Sequence, residues 1–158
     1  MSDASPVPTE VLSRALGEAI GGRRVRAAVF TTFTFDPGFF ELHILPLLFE
    51  QPFSQVDKVK RIQLEDAMRG LDALAVYYDR EGLSQDAEPA QLDYRRIDVH
   101  RHTGVFHPKI ILLLLDELPE SLGDDEEPVE TNQTLLIGIA SANLTRSGWW
   151  ENVECAHF

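Results

Sequence analysis

The sequence has a single cysteine, Cys155, and only 14 lysine and arginine residues against 26 aspartate and glutamate residues. One cysteine excludes an internal disulfide framework and leaves a cysteine-type zinc site without a second thiolate. The formal net charge of -12 gives the whole chain a field that repels nucleic acid and anionic membranes. A polyanionic substrate would therefore have to be bound by a local site.

Long hydrophobic runs are also missing. The longest, residues 110–115, is far shorter than the ~20 residues of a membrane-spanning helix. Residues 1–10 are polar and contain proline, and they lack the basic and then apolar pattern of a signal peptide. We therefore expect a soluble, cytoplasmic protein with no membrane partner. Hydrophobic residues make up 44% of the 158 residues, which is enough for one compact domain over residues 1–158.

Two kinds of hydrophobic spacing alternate along the chain. Helical spacing predicts helices at residues 9–20, from Asp36 to a bend or end near Pro46, and as a short turn at 143–150. Alternating or continuous runs of β-branched and aromatic residues predict strands at residues 25–35, 59–64, 74–78, 94–100, 106–115, 134–140 and 152–158. The stretch between the predicted strands at 59–64 and 74–78 is also compatible with a helix. The alternation favours an α/β fold with a mixed sheet at its centre.

Residues 116–132 have the composition of a solvated loop. They contain two prolines, a glycine and the acidic run at residues 124–127. We expect this loop to connect two paired strands.

Polar residues stand out beside two of the predicted strands. His107 and Lys109 are two apart at the start of the strand at 106–115, so both should project from the same face. Ser141 and Asn143 follow the strand at 134–140, where side chains leave the sheet at its end. Such strand ends are where α/β sheets usually bind ligands.

His-x-Lys, then Gly-x-x-Ser-x-Asn, then an Asn-x-Glu strand resembles the phospholipase D superfamily, also called the HKD family. The resemblance covers about the last third of the chain at motif level. It implies a phospholipase D-like mixed sheet flanked by helices. It also implies that His107 attacks phosphorus, that Lys109 and Asn143 bind phosphoryl oxygens, and that Ser141 is a further oxygen or water ligand.

Two further residues bear on the resemblance. The family keeps a glutamate that accepts a hydrogen bond from the nucleophilic histidine, and Glu154, eleven residues beyond Asn143, matches it. The full motif expects an aspartate where this chain has Leu114. That omission is similar to the tyrosyl-DNA phosphodiesterase branch. It leaves catalysis in place, because the aspartate is mainly structural in the family.

The implied mechanism is a two-step displacement through a phosphohistidine, which needs no metal or cofactor. A second histidine must protonate the leaving oxygen, so two copies of the motif are needed. This chain has one. We therefore expect a homodimer, or a second phospholipase D-like half if the chain is the N-terminal half of a longer two-motif protein.

We interpret the chain as a phosphodiesterase, and specifically as a nuclease that acts on DNA rather than RNA. Arg101 and His102 are predicted to line a groove for the polyanion. Other interpretations remain open. His100, His102 and His107 with Asp98 have the residue types of a metal site. Lipid headgroup cleavage is a competing activity, and a non-catalytic dimerisation or interaction lobe is a competing role.

Overall fold

A computed structural model describes residues 11–84, 87–117, 132–152 and 154–158. The α-helices are α1 (Val11–Ile20), the short α2 (Pro37–Phe39) and α3 (Asp57–Met68). A π-helical turn (Phe40–Ile44) and a 3-10 turn (Leu45–Leu48) continue α2, and two further turns lie at Arg80–Gly82 and Ser147–Glu151. The strands are β1 (Arg24–Thr32), β2 (Ala73–Asp79), β3 (Arg95–Val99), β4 (Ile110–Asp116), β5 (Gln133–Ala140) and β6 (Ala156–His157).

The six strands form one sheet in the order β3-β2-β1-β4-β5-β6. Strands β1, β2 and β3 run parallel, whereas β4 pairs antiparallel with β1 and β5, and β5 pairs antiparallel with β6. The predicted α/β fold with a mixed central sheet is therefore confirmed, as is the pairing of the two strands that flank residues 117–132.

The core lies between one face of this sheet and the helices. Phe30 of β1 and Leu113 of β4 are fully buried there in one cluster with Leu16 of α1 and Phe40 of the π-helical turn. The opposite face is more open, because β5 exposes Leu135, Ile137 and Ile139 on it. This one-sided packing explains why β4 alternates between buried and half-buried residues.

The helix predicted from Asp36 is confirmed, including its irregular end. The Asp36 carboxylate accepts a hydrogen bond from the backbone N–H of Phe39 at 3.1 Å, which is the role of an N-cap. The α-helical turn then widens to a π-helical turn and tightens to a 3-10 turn that contains Pro46. Proline cannot donate the backbone hydrogen bond that a regular helix needs, and the helical run ends two residues later, at Leu48.

Three strand predictions need correction. Residues 59–64 lie inside α3, because that segment is rich in lysine, arginine and glutamine, which favour a helix, and it buries only Leu64. Strand β4 begins at Ile110 rather than at residue 106, since Pro108 has no N–H for a ladder. The final strand is limited to Ala156–His157. Of the predicted loop at 116–132, residues 118–131 lie outside the described residues, whereas Asp116 is the last residue of β4.

No helix in the described ranges is both long and apolar enough to cross a membrane.

Candidate phosphate-binding site

Three of the predicted site residues, His107, Lys109 and Asn143, lie around the C-terminal end of β1 and the two residues that follow it, Phe33 and Thr34. Here β4 begins and β5 ends, because both run antiparallel to their neighbours. The hydroxyl of Thr31 accepts a hydrogen bond from the backbone N–H of Ile110 at 2.8 Å and so joins the end of β1 to the start of β4. The end of β1 is the common support for side chains from both motifs.

The Asn143 carboxamide is held by its oxygen. Asn143 Oδ1 accepts hydrogen bonds from the backbone N–H groups of Phe33 at 3.2 Å and Thr34 at 3.0 Å, and the Thr32 hydroxyl lies 3.2 Å away. Because the two backbone N–H groups can only donate, they identify the oxygen and fix the orientation of the amide. Its NH₂ group makes no hydrogen bond within the described residues and is not buried. The carboxamide therefore presents two N–H donors to a ligand.

A close approach of two backbones holds Asn143 from the other side. A Cβ added to Gly148 would lie 2.5 Å from the Asn143 carbonyl oxygen and 2.8 Å from its backbone nitrogen. No real Cβ fits at such distances, so glycine is required where the π-helical turn at Ser147–Glu151 packs on Asn143.

His107 and Lys109 meet, although not on a strand as predicted. The Lys109 ammonium lies 3.0 Å from Nδ1 and 3.3 Å from Nε2 of the His107 imidazole. The ring is exposed and rests on Phe33, with 5.1 Å between ring centroids. An ammonium donates only to a ring nitrogen that carries no proton, so the contact requires a lone pair on the facing nitrogen.

Phe33 links the two motifs in space. Its ring supports the His107 imidazole, and its backbone N–H binds the Asn143 oxygen. The imidazole, the ammonium and the free amide N–H groups thus lie around one residue of the β1 end. This grouping provides cationic and neutral donors beside a nucleophilic nitrogen, which is the set needed to hold and attack a phosphate.

Lys109 is a cation without a carboxylate partner in the described part of the chain. Partial burial lowers the pKa of its ammonium below the ordinary 10.5, and the negative charge of Glu154 partly opposes that shift. Burial disfavours the charged form because it removes water from the ammonium. An anion bound at this point would stabilise the charged form.

Glu154 has a partner that the sequence did not predict. Its carboxylate accepts a hydrogen bond from the Ser141 hydroxyl, and that hydroxyl also accepts one from the backbone N–H of Cys155 at 2.9 Å. The expected hydrogen bond from His107 to Glu154 is not formed in the structure. Both ring nitrogens of His107 instead face Lys109. Glu154 therefore lies close enough to act on the charge of Lys109, and it holds Ser141 at the end of β5.

Arg101 and His102, predicted to line a polyanion groove, are exposed on the segment that precedes His107. The rings of His100 and His102 lie 5.9 Å apart, and Asp98 binds Arg80. The metal site considered for these histidines is not assembled, since the described residues contain no group of three or more potential metal ligands.

Sequence reasoning missed Asp79, the last residue of β2, which is only 5% exposed. Its carboxylate accepts hydrogen bonds from the backbone N–H groups of Phe106 at 2.6 Å and Glu81 at 2.9 Å. The Phe106 hydrogen bond is the main cause that lowers the pKa of Asp79, and His100 and His107 act in the same direction. An acid that ends an apolar strand and precedes a turn was the available signal.

A cavity of about 370 Å³ lies elsewhere, at the N-terminal end of β1. It is lined by Arg23, Arg24, Leu48, Phe49 and Gly70, among others, and contains none of the predicted site residues. The shape of the surface and the predicted site residues therefore point to opposite ends of the strand.

No protein-family model and no curated protein matches this chain in sequence. Among solved structures it is similar to a mutant of yeast tyrosyl-DNA phosphodiesterase, with 13% identity, a TM-score of 0.47, and coverage of 89% of this chain and 26% of that chain. It is similar to NucT from Helicobacter pylori, with 13% identity, a TM-score of 0.47, and coverage of 90% of this chain and 72% of that chain. The chain thus spans about a quarter of the length of the yeast protein.

Proposed function

We propose that this chain is a phosphodiesterase in which His107 attacks a phosphate diester while Lys109 and Asn143 bind the phosphoryl oxygens. The observation that carries the proposal is the grouping around Phe33 of an exposed imidazole, an ammonium with no described carboxylate partner, and an amide whose NH₂ is free. All three groups suit an anion with tetrahedral oxygens.

The reaction proceeds in two displacements. An imidazole nitrogen of His107 forms a bond to phosphorus, and the bond from phosphorus to the leaving oxygen breaks as that oxygen takes a proton from an acid. Water then attacks the phosphohistidine and releases the phosphate monoester and the histidine. Lys109 and Asn143 stabilise the negative charge on the equatorial oxygens in both steps, as positioned donors do in other anionic transition states.

Binding of a phosphate should separate Lys109 from His107. A phosphoryl oxygen is a stronger acceptor for an ammonium than a neutral imidazole nitrogen, because the pair is then charge-assisted on both sides. Once Lys109 turns to that oxygen, the lone pair on the ring nitrogen is available for attack.

We assign Ser141 to a phosphoryl oxygen or a water, and Glu154 to the control of charge around Lys109 and His107. The predicted role of Glu154, acceptance of the His107 proton, requires its carboxylate to leave the Ser141 hydroxyl. Such a carboxylate would stabilise the imidazolium that forms during the reaction.

The substrate we propose is DNA. Arg101 and His102 are exposed on the segment that precedes His107, where the Arg101 guanidinium supplies positive charge and the His102 ring supplies a hydrogen-bonding group for a phosphate backbone. With a net charge of -12 for the whole chain, we expect binding to be confined to this local surface and to weaken as salt is added.

The acid that protonates the leaving oxygen must come from a second copy of the motif, because this chain has one. We propose a homodimer or a second phospholipase D-like half as its source. Light scattering on the chain at known length measures whether two copies associate, and an activity that rises with the square of monomer concentration would identify the dimer as the active form.

The activity is tested by incubating the chain with single- and double-stranded DNA in excess chelator. We expect cleavage that survives the chelator, disappears in His107→Ala and persists in the matched control His157→Ala, which removes an exposed histidine of β6. Cleavage that the chelator abolishes would instead support a metal site.

A non-catalytic interaction lobe is the second candidate. The exposed apolar side chains of Leu135, Ile137 and Ile139 favour it, because contiguous apolar surface often marks an interaction site. A dimeric preparation that cleaves neither single-stranded nor double-stranded DNA would support the interaction lobe over the enzyme.

A further inference from the structure

The position of His107 is not fixed by the sheet. Residues 100–109 contain no helix or strand, and β4 begins only at Ile110. On the C-terminal side of His107, the Lys109 carbonyl accepts a hydrogen bond from the backbone N–H of Ala140 at 3.0 Å, and Ile110 binds Thr31. Among the described residues, the ring itself contacts only Phe33, by packing, and the side chain of Lys109, two residues away. Something else must hold the chain on the N-terminal side.

Asp79 supplies that hold. Its buried carboxylate accepts the backbone N–H of Phe106, the residue before His107, at 2.6 Å. The other carboxylate oxygen caps the turn Arg80–Gly82 through the N–H of Glu81. This turn is anchored against the β1 end, because the Gly82 carbonyl accepts the backbone N–H of Phe35 at 2.9 Å.

The location of Asp79 also brings a negative charge near the imidazole. His107 and His100 both lie close enough to favour the ionised carboxylate. The imidazole gains positive charge when it bonds to phosphorus, and a fixed carboxylate stabilises that charge. Glu154, the acid expected to act there, is bound to Ser141 in the structure.

We propose that Asp79 is the positioning residue for His107: it fixes the backbone at Phe106, so that the imidazole stays on Phe33 beside Lys109. The proposal rests on the proposed function, in which His107 is the nucleophile. It adds to the site the carboxylate of Asp79, which lies on β2 and precedes His107 by 28 positions in the chain. The other residues of the site come from the two motifs.

The test uses Asp79→Ser, which retains a hydroxyl to cap Glu81 but is too short to reach Phe106. We expect kcat to fall about 10- to 100-fold, because small displacements of a reacting group have effects of this size, with KM changed by less than about threefold. The nuclear Overhauser contact between the rings of His107 and Phe33 should be lost. Asp79→Asn should fall between Asp79→Ser and wild type, since its one amide oxygen serves two N–H donors.

The matched control is Asp98→Ser, which removes an exposed carboxylate of the neighbouring strand β3 that binds Arg80. It should leave kcat and the ring contact unchanged. The proposal is overturned if Asp79→Ser keeps both the ring contact and the wild-type kcat. It is also overturned if Asp98→Ser changes kcat and KM to the same extent as Asp79→Ser does. Should Asp79→Ser fail to fold, the same two readouts on Asp79→Asn decide.

Failure of the proposed function gives a different result. If the wild-type chain hydrolyses no phosphate diester, the enzyme proposal fails, and the ring contact still tests Asp79 by itself. Its loss in Asp79→Ser would support the positioning role, and its retention would contradict it.

Discussion

The two ends of strand β1 differ in how their cations are paired. At the N-terminal end, Arg23 donates to Glu117 at 3.1 Å and Arg26 contacts Asp72 at 3.0 Å. At the C-terminal end, Lys109 faces the His107 imidazole and forms no ion pair with any described carboxylate. The charges of Arg23 and Arg26 are thus paired, whereas Lys109 still has charge and donors to offer.

The volume of a cavity and the arrangement of hydrogen-bond donors thus mark opposite ends of β1. The hollow of about 370 Å³ lies at the arginine end. The C-terminal end has fixed donors instead: the Asn143 amide is oriented by the backbone N–H groups of Phe33 and Thr34, and Lys109 directly precedes the neighbouring strand β4. Preorganised donors, rather than enclosed space, bind and stabilise a reacting phosphate.

The largest expected effect comes from removing the unpaired cation. Lys109→Ala should lower kcat/KM for DNA hydrolysis about 10²- to 10³-fold, the usual loss for one transition-state donor. The matched change at the other end, Arg24→Ala, removes an exposed cation near the cavity and should change kcat/KM by less than about twofold. Equal losses in the two variants would remove the distinction between the ends.

Replacement of Asn143 should separate its binding role from its structural role. Asn143→Asp keeps an oxygen for the N–H groups of Phe33 and Thr34 but loses the two N–H donors, so we expect a stable protein with activity reduced about 10²-fold. Asn143→Ala leaves those backbone donors unpaired and should also cost about 1–3 kcal/mol of unfolding free energy for each one that stays buried. Denaturant unfolding and DNA hydrolysis measure the two effects, and full activity in Asn143→Asp would contradict the assignment.

A pair of glycines offers a comparison of packing. Gly148→Ala places a Cβ against the Asn143 backbone and should destabilise the fold by about 1–3 kcal/mol while displacing the carboxamide. Gly17→Ala, at an exposed position of helix α1, meets no atom within 4 Å and should stabilise by about 0.5–1 kcal/mol. Thermal unfolding compares them, and a neutral Gly148→Ala would mean that the turn does not hold Asn143.

The smallest effect is on pH dependence. Burial lowers the pKa of Lys109 below the ordinary lysine pKa of 10.5. As the pH rises, the ammonium therefore loses its proton at a lower pH than an ordinary lysine does. Substrate binding should weaken over this alkaline range. Lys109→Arg carries a guanidinium that stays charged over this pH range, so substrate binding by this variant should not weaken there. Identical alkaline profiles for the two proteins would show that another group titrates.

The site residues could be predicted from sequence because the two motifs are local. Ser141 and Asn143 follow a strongly apolar strand, so their location at a sheet end follows from that pattern. His107 and Lys109 were predicted to share the face of a strand. They do meet, but through an irregular segment, and strand geometry was the wrong reason.

The remaining features depend on contacts between distant segments. Asp79 and Phe106 come from different parts of the chain, and no local spacing relates them. The partner of Glu154 was missed because the choice between His107 and Ser141 is set by how β5 and the following turn are placed. Residues 59–64 were misassigned because Val59 and Ile62 suggest a strand, whereas the surrounding charged residues form a solvated helix.

Titration of the ¹⁵N-labelled chain with inorganic phosphate, followed residue by residue, tests most directly which end of β1 binds an anion. Our account predicts that the Asn143 side-chain NH₂ and the backbone amides of Phe33 and Thr34 shift, with the signals of Val25 and Gln51 at the arginine end unchanged. Shifts confined to Val25 and Gln51 would contradict it.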